Sequence, residues 1–415
     1  MKTRTSKFLA TLLGCAFISS NAFAAPERAP SIDELWKIIQ QQQKQIKQLT
    51  AAAKQTQQKV KDNEEKIDVT VEVVEETASK TKSGLLGDKT SIGGYGEIHY
   101  NNLDRGDGDR FRELDLHRFV LFFGHEFTDD IRFVSEFEIE HGGVEADGSP
   151  LDGEVEIEQA YLEFDINEYL TARAGVFLLP VGILNETHEP PTFYGVERNP
   201  TENIIIPATW WEAGVGMTAR TDNGFSFDLA LHSGLSVPTT GGSAFRIRSG
   251  RQKVSNANAD DLAVTGRVKY TGIPGLELAT TVQYQSDISQ RDGDGAEEAT
   301  LFSAHAVYNK GPFSARALYA RFDIDGDAVE AADGDDQDGF YLEAGYKITP
   351  KWGVFARYDD VDGVRAADEF EQYNLGVNYY PHEDVVLKAD YMDRENDNGN
   401  DRDIDGFNLG VGYQF

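Results

Sequence analysis

From Thr90 to its last residue the chain alternates apolar and polar side chains with a period of two, in run after run. That alternation is the strongest constraint on the fold, because it places every second side chain on one face of a strand. The last quarter shows it best. Phe340, Leu342, Ala344, Tyr346 and Ile348 alternate with Tyr341, Glu343, Gly345 and Lys347. Tyr373, Leu375, Val377 and Tyr379 do so with Asn374, Gly376 and Asn378, and Phe407, Leu409, Val411, Tyr413 and Phe415 with Asn408, Gly410, Gly412 and Gln414. One face is apolar with aromatic ends; the other mixes small, amide and charged residues. In lipid only a closed barrel satisfies the backbone groups of every strand, and such barrels turn apolar side chains outward.

The pattern predicts about sixteen antiparallel strands: 90–101, 112–127, 131–142, 154–165, 170–179, 210–220, 225–235, 261–270, 276–286, 299–309, 313–322, 338–348, 352–358, 371–380, 385–392 and 404–415. Their connections alternate between short turns, such as Thr128–Asp130 and Thr221–Gly224, and long polar segments rich in Asp and Gly. An even-stranded outer-membrane barrel with both ends in the periplasm requires that rhythm. No proline falls inside a predicted strand, where it would cost a ladder hydrogen bond.

The first 24 residues read as a signal peptide: Lys2, Arg4 and Lys7, an apolar run from Phe8 to Ile18, and the small-residue site Ala22-Phe23-Ala24. A lipoprotein signal around Leu12-Leu13-Gly14-Cys15 is the weaker reading. Cleavage after Ala24 removes the only cysteine, Cys15, which excludes disulfides, thiolate metal sites and Cys nucleophiles. With 71 acidic against 39 basic residues, nucleic acid is excluded as a partner. No apolar stretch is long enough to span a bilayer as a helix.

Residues 25–82 are expected to form a periplasmic coiled coil, followed by a hinge at 83–89 and the barrel at 90–415. Ile32, Ile39, Ile46, Ala53, Val60, Ile67 and Val74 recur seven apart, with Leu35, Gln42, Leu49, Thr56, Asn63, Thr70 and Thr77 at the second core position. A repeat of 3.5 residues per turn keeps one seam facing its partner.

The longest connection, 180–209, is too apolar to stay in water and is expected to fold into the barrel as a constriction loop. Its expected lining is Asn185, Glu186, His188, Glu189, Tyr194, Glu197 and Arg198. Strand parity sends Arg173, Arg220, Arg267, Lys269, Lys347, Arg357 and Lys388 into the lumen, along with Glu136, Glu138, Glu140, Glu212, Asp228, Glu277, Glu343 and Asp390. Arg316 and Arg321 cannot both follow. One external loop is basic, with Arg246, Arg248, Arg251 and Lys253.

The stretch VEIEQAYLEFDINEYLTARAGVFLLPVGILNETHEPPTFYGVERNPTENIIIPATWWEAGVGM (Val155–Met217) resembles the phosphate-selective porin O and P family. So do GGYGEIHYN (Gly93–Asn101) and LDLHRFVLFFGHEF (Leu114–Phe127). Asn408, Gly410, Tyr413 and Phe415 resemble the signal by which outer-membrane barrels are recognised by the barrel-assembly machinery. The resemblance implies a sixteen-stranded homotrimeric porin among outer-membrane lipids and lipopolysaccharide, with its third external loop narrowing the channel. It also implies anion selectivity through pore arginines and lysines. The residues depart from that: the loop carries Glu186, Glu189, Glu197 and Glu202 against Arg198 and His188, so selectivity is expected to be weak.

The expected function is a water-filled channel for passive diffusion of small hydrophilic solutes or ions, with phosphate or other anions as the resemblance implies. Two other readings are a tether from the outer membrane to peptidoglycan through the coiled coil, and a barrel hydrolase using Asp228, His232 and Ser233. Neither a cofactor nor a metal site is expected. Asp323–Asp338 and Asp401–Asp405 lack the twelfth-position Glu of a calcium loop, and His117 and His125 fall about 26 Å apart on one strand.

Overall fold

The computed structural model describes residues 89–143, 153–291 and 295–415; the signal peptide, the heptads and the hinge up to Asp88 lie outside them. Sixteen strands form one closed antiparallel barrel in which each strand pairs with its sequence neighbours. In chain order they are β1 (Thr90–Arg105), β2 (Arg110–Glu126), β3 (Ile131–Glu140), β4 (Val155–Asn167), β5 (Leu170–Leu178), β6 (Trp211–Arg220), β7 (Phe225–His232) and β8 (Ala263–Ile273). Then come β9 (Leu276–Gln285), β10 (Ala299–Lys310), β11 (Phe313–Ile324), β12 (Asp336–Thr349), β13 (Trp352–Asp362), β14 (Glu369–His382), β15 (Val385–Asn396) and β16 (Ile404–Gln414).

Closure runs from Tyr95 opposite Gln414 to Arg105 opposite Ile404. Gly94 and the terminal Phe415 exchange both backbone hydrogen bonds at 2.9 Å. The last residue of the sequence therefore seals the seam, leaving no unpaired edge.

Each predicted strand is present, and the differences lie at the ends. Most strands of the last third run further toward the long-loop rim than the hydrophobic pattern does, because backbone pairing continues after the side chains have become polar. With β1 and β2 extended likewise, the connections 106–109, 363–368 and 397–403 are short, where long ones were expected. Pro381 lies within β14, contrary to expectation; pairing slips between Tyr379 and His382, so the missing N–H falls at an irregularity.

Parity sets the two faces. Leu342, Leu375, Leu229 and Val215 are exposed outward, whereas Glu343, Arg357, Asn374 and Asn408 are buried in the interior. Aromatic pairs gather near both ends of the outer surface: Trp352 with Tyr379 and Phe313 with Tyr346 toward the short turns, Tyr358 with Tyr373 and Tyr100 with Phe407 toward the long loops. Such girdles mark the two interfaces of a membrane-spanning barrel.

On β11 Arg316 faces inward, where it donates to Thr192 O at 2.5 Å. Arg321 faces outward at the long-loop rim, bound to Asp323 at 2.6 Å and Asp336 at 2.9 Å. The inward positions Leu318, Ala320, Phe322 and Ile324 of the same strand are apolar and buried. A lumen filled only with water would leave them wet. Something covers them.

Candidate functional site

The cover is the connection 179–210, which turns inward after β5 and crosses the barrel. Its own residues hold its shape. The buried Glu202 carboxylate accepts the Ile183 and Leu184 N–H groups at 2.5 and 2.7 Å and the Asn199 amide at 3.0 Å. Gly182 at φ +69 lets the backbone pass this carboxylate, where a Cβ would meet it. Asn185, with no exposed surface, clasps the two ends of the loop by donating to Leu179 O and Trp210 O and accepting from Trp210 N–H.

The wall then anchors the loop around its circumference. Thr281 on β9 donates to Pro180 O at 3.0 Å, and Arg267 on β8 pairs with Glu186. Tyr194 stacks on Phe355 of β13 at 5.3 Å, and Lys388 of β15 sits 3.5 Å over the Phe193 ring. Asp390 accepts Val196 N–H at 2.7 Å; Glu197 takes His99 at 3.1 Å and Asn101 at 3.0 Å from β1. Tyr341 on β12 donates to Glu202 at 3.2 Å.

Toward the long loops the interior is divided. On the side of β7–β14, Leu179, Val181, Ile205, Ile206 and Trp210 pack with Leu235 and Ile247 of the next long loop against Leu318, Phe322, Tyr341 and Phe370. Burying a side chain of this size is worth about 1.5–3 kcal/mol, so several together hold the loop firmly. On the side of β1–β4 and β14–β16 a cavity of about 580 Å³ stays open.

Its walls carry both charges. Glu97, Glu138, Glu140, Glu156 and Glu158 come from the strands together with Arg118 and Arg394, and Arg198, Arg246, Arg248, Arg251 and Lys253 come from the two loops together with Glu197. Most of the acids have partners. Arg118 takes Glu97 at 2.8 Å, Glu138 at 3.1 Å and Glu140 at 3.7 Å, and Lys253 pairs with Glu154 and, at 2.6 Å, with Glu156.

The arginines differ. Arg246 has Asp368 at 3.3 Å, whereas Arg248 and Arg251 donate to the backbone carbonyls of Ala208 and Thr209 at 2.7 and 2.6 Å. Carbonyls orient a guanidinium without cancelling its charge. Nε and one Nη of Arg198 are buried without a hydrogen-bond partner. Burial, with the charges of Arg251, Arg246 and Arg198 close by, pushes Arg248 well below its ordinary pKa.

The structure gives the expected loop-lining residues different surroundings. Of the seven residues named, Glu197 and Arg198 line this cavity. Asn185 is the clasp, His188 is buried against the wall, Glu186 is bound to Arg267, and Tyr194 is stacked on Phe355. Glu189 is half-buried in the loop. Glu202 is no pore charge either; its oxygens are taken by Ile183, Leu184 and Asn199 of the loop and by Tyr341 of β12.

Among the strand cations, Arg267, Arg357 and Lys388 are buried inward as parity predicts. Arg173 lies over the Phe177 ring at 4.4 Å, Lys347 lies over Tyr380 at 5.3 Å, and Lys269 is half-buried. Arg220, exposed at the short-turn end, donates to Thr171.

Asp228, His232 and Ser233 do not form a relay. Asp228 binds Arg267 at 2.8 Å and Thr218 at 2.7 Å, His232 faces Thr265 at 2.8 Å, and Ser233 donates to Glu212. The histidines meet in a way that spacing along one strand could not reveal. The His99 and His117 rings stack at 4.4 Å across β1 and β2, and His141 lies 5.6 Å from His117. Cross-strand register brings them together, and that signal is absent from any single run of sequence.

A family model described as phosphate-selective porin O and P matches residues 92–415. A protein of Aquifex aeolicus (strain VF5), described as uncharacterized, is 33% identical over 344 residues, covering 76% of this chain and 78% of its own. Among solved structures, the anion-selective porin from Comamonas acidovorans superposes with a TM-score of 0.56 at 14% identity, covering 79% of this chain and 99% of that one. The outer membrane channel DcaP of Acinetobacter baumannii gives 0.55 at 13%, with 79% and 97% covered. Salmonella typhi OmpF gives 0.54 at 15%, also with 79% and 97% covered. At these identities the structures speak for the fold, and the family model speaks for descent. With its sealed sixteen-stranded barrel and inward loop, the chain belongs to the phosphate-selective porin O and P family and is a channel for small solutes in the bacterial outer membrane.

Proposed function

We propose that this channel passes small hydrophilic solutes by passive diffusion with a modest preference for anions. The observation that carries the reading is the pairing imbalance around the cavity. Glu97, Glu138 and Glu140 gather on Arg118 and Glu156 pairs with Lys253, whereas Arg198, Arg248 and Arg251 have no carboxylate within ion-pair distance among the described residues. Two unit charges 4 Å apart interact by about 4 kcal/mol at an effective dielectric of 20 and about 1 kcal/mol in bulk water. Unmatched guanidinium groups in a narrow passage therefore outweigh the many acids on screened outer loops. The matched acids still lie within a few ångströms, which keeps the preference modest and argues against tight phosphate capture.

Reversal potential in a potassium chloride gradient tests this. The intact channel should favour chloride, and Arg248→Gln with Arg251→Gln should move the potential toward potassium. A cation-selective parent channel, or no movement in the double variant, overturns the reading. Micromolar phosphate blocking the chloride current would replace it with phosphate capture.

We further propose that the heptads of residues 32–77 support a homotrimer. A chain lacking 31–82 should still give a heat-modifiable barrel, with its trimer dissociating at lower temperature on gels. Unchanged trimer stability would count against this role.

A further inference from the structure

His188 is the one imidazole that loop 179–210 carries, and the loop sets it against the inner wall of β3 and β4. Its ring is 4% exposed, and both of its nitrogens are without a hydrogen-bond partner. Nε2 lies 3.4 Å from Glu136 Oε1 and 3.7 Å from Glu158 Oε2, two carboxylate oxygens that also lack hydrogen-bond partners. Glu136 and Glu158 are 1% and 0% exposed. Among the described residues neither has a Lys or Arg within ion-pair distance. Two buried carboxylates without a cation are costly by several kcal/mol each.

The other oxygen of each carboxylate is held. Gln159 donates to Glu136 Oε2 at 2.7 Å, and Thr209 donates to Glu158 Oε1 at 2.5 Å. Both carboxylates are thereby turned so that their free oxygens point at the same imidazole nitrogen, and Tyr95 packs edge-on against the ring at 5.8 Å. Outer hydrogen bonds that orient inner groups are the usual support of a metal centre.

We propose that Glu136 Oε1, Glu158 Oε2 and His188 Nε2 form a binding site for a divalent transition metal of the zinc class, which clamps the inward loop to the barrel wall. One ligand atom from each of the three residues lies within 4.8 Å of the other two. Ligand atoms around a tetrahedral zinc with bonds of 2.0–2.1 Å stand about 3.3 Å apart, so the nitrogen–oxygen spacings need little adjustment. An imidazole with two carboxylates suits zinc or its first-row neighbours, whereas magnesium and calcium take oxygen ligands in larger number. Glu158 also borders the open cavity, the aqueous space nearest the site. The other interior histidine groups are less suited: His99 is already bound to Glu97 and Glu197, and His117 and His141 share Asp115.

The test uses the full chain folded in detergent, stripped with chelator and titrated with zinc chloride. Stoichiometric zinc by mass spectrometry is expected, with micromolar or tighter affinity by competition against a chromophoric chelator. His188→Ala and Glu158→Gln should each weaken binding more than about 100-fold, and His382→Ala, at an exposed turn, should leave it intact. Heat-modifiable mobility reports folding of each variant. Cobalt substitution of the unmutated protein gives a second readout, since an imidazole–carboxylate site shows visible d–d absorption, and its absence at saturation overturns the proposal. Zinc that persists in a folded His188→Ala variant, or no stoichiometric zinc in the parent, also overturns it; in the latter case Glu136 and Glu158 are held by a shared proton.

Discussion

The two sides of the barrel interior obey the same strand geometry and reach opposite solutions. Along β10–β14 the inward positions near the long loops are Leu301, Leu318, Phe322, Tyr341, Val361 and Phe370, and the loop lies dry against them. Along β1–β4 the inward positions include Glu97, Arg118, Glu138, Glu140, Glu156 and Glu158, which border an open cavity. Alternation decides only that a residue faces inward. Whether that residue meets water or protein depends on where the loop lies, and the loop lies where the wall is apolar. The wet side bears the charges that a solute passes, and the dry side keeps the obstacle in place.

Removing Glu186–Gly195 is the harshest way to break this division. It takes away the contacts to Arg267, Thr192 O with Arg316, Phe355 and Lys388. Single-channel conductance should rise well above that of the intact protein. A folded deletion with unchanged conductance would mean that the segment does not narrow the conducting path.

Each side can then be damaged alone. Arg118→Met takes the guanidinium from Glu97 and Glu138 and leaves Glu97 with His99 alone, and loss of one partner from a buried ionic group costs about 3–5 kcal/mol. The unfolding midpoint in denaturant should fall, and the reversal potential of the surviving channels should move toward cations. Unaltered stability would show that water already solvates these carboxylates.

Ile205→Ala opens a hole on the dry side, where Ile205 has no exposed surface, at a cost of about 2–5 kcal/mol. Here the expected signature is noisier open-channel current from a loosened loop, with ion selectivity nearly unchanged. A large change in selectivity would blur the separation of the two sides.

The smallest effect is expected from Glu186→Gln with Glu189→Gln. Glu186 is bound to Arg267, and neither residue is among those lining the cavity. Reversal potential should shift toward anions by less than in the opposite direction for Arg248→Gln with Arg251→Gln. A larger shift would place the narrow point on the short-turn side of the loop.

Strand number, inward and outward faces and closure of the barrel were legible in the sequence, because a period of two is a local property that survives in every run of residues. The inward course of 179–210 was legible for a related reason: its length, prolines and isoleucines describe a segment that must be buried somewhere. Its partners were not. Glu202 reads as a pore acid until Ile183 N–H, Leu184 N–H and Tyr341 are seen to use its oxygens, and Arg248 reads only as one cation of a basic external loop until Ala208 O is seen to hold it. His188 meets Glu136 and Glu158 only because the loop that leaves β5 folds back against the neighbouring strands β4 and β3. A sequence specifies which way a strand residue points through bonds to its immediate neighbours. Which charges cancel, and which remain to act on a solute, is decided by contacts between residues far apart in the chain, and only the closed barrel brings those together.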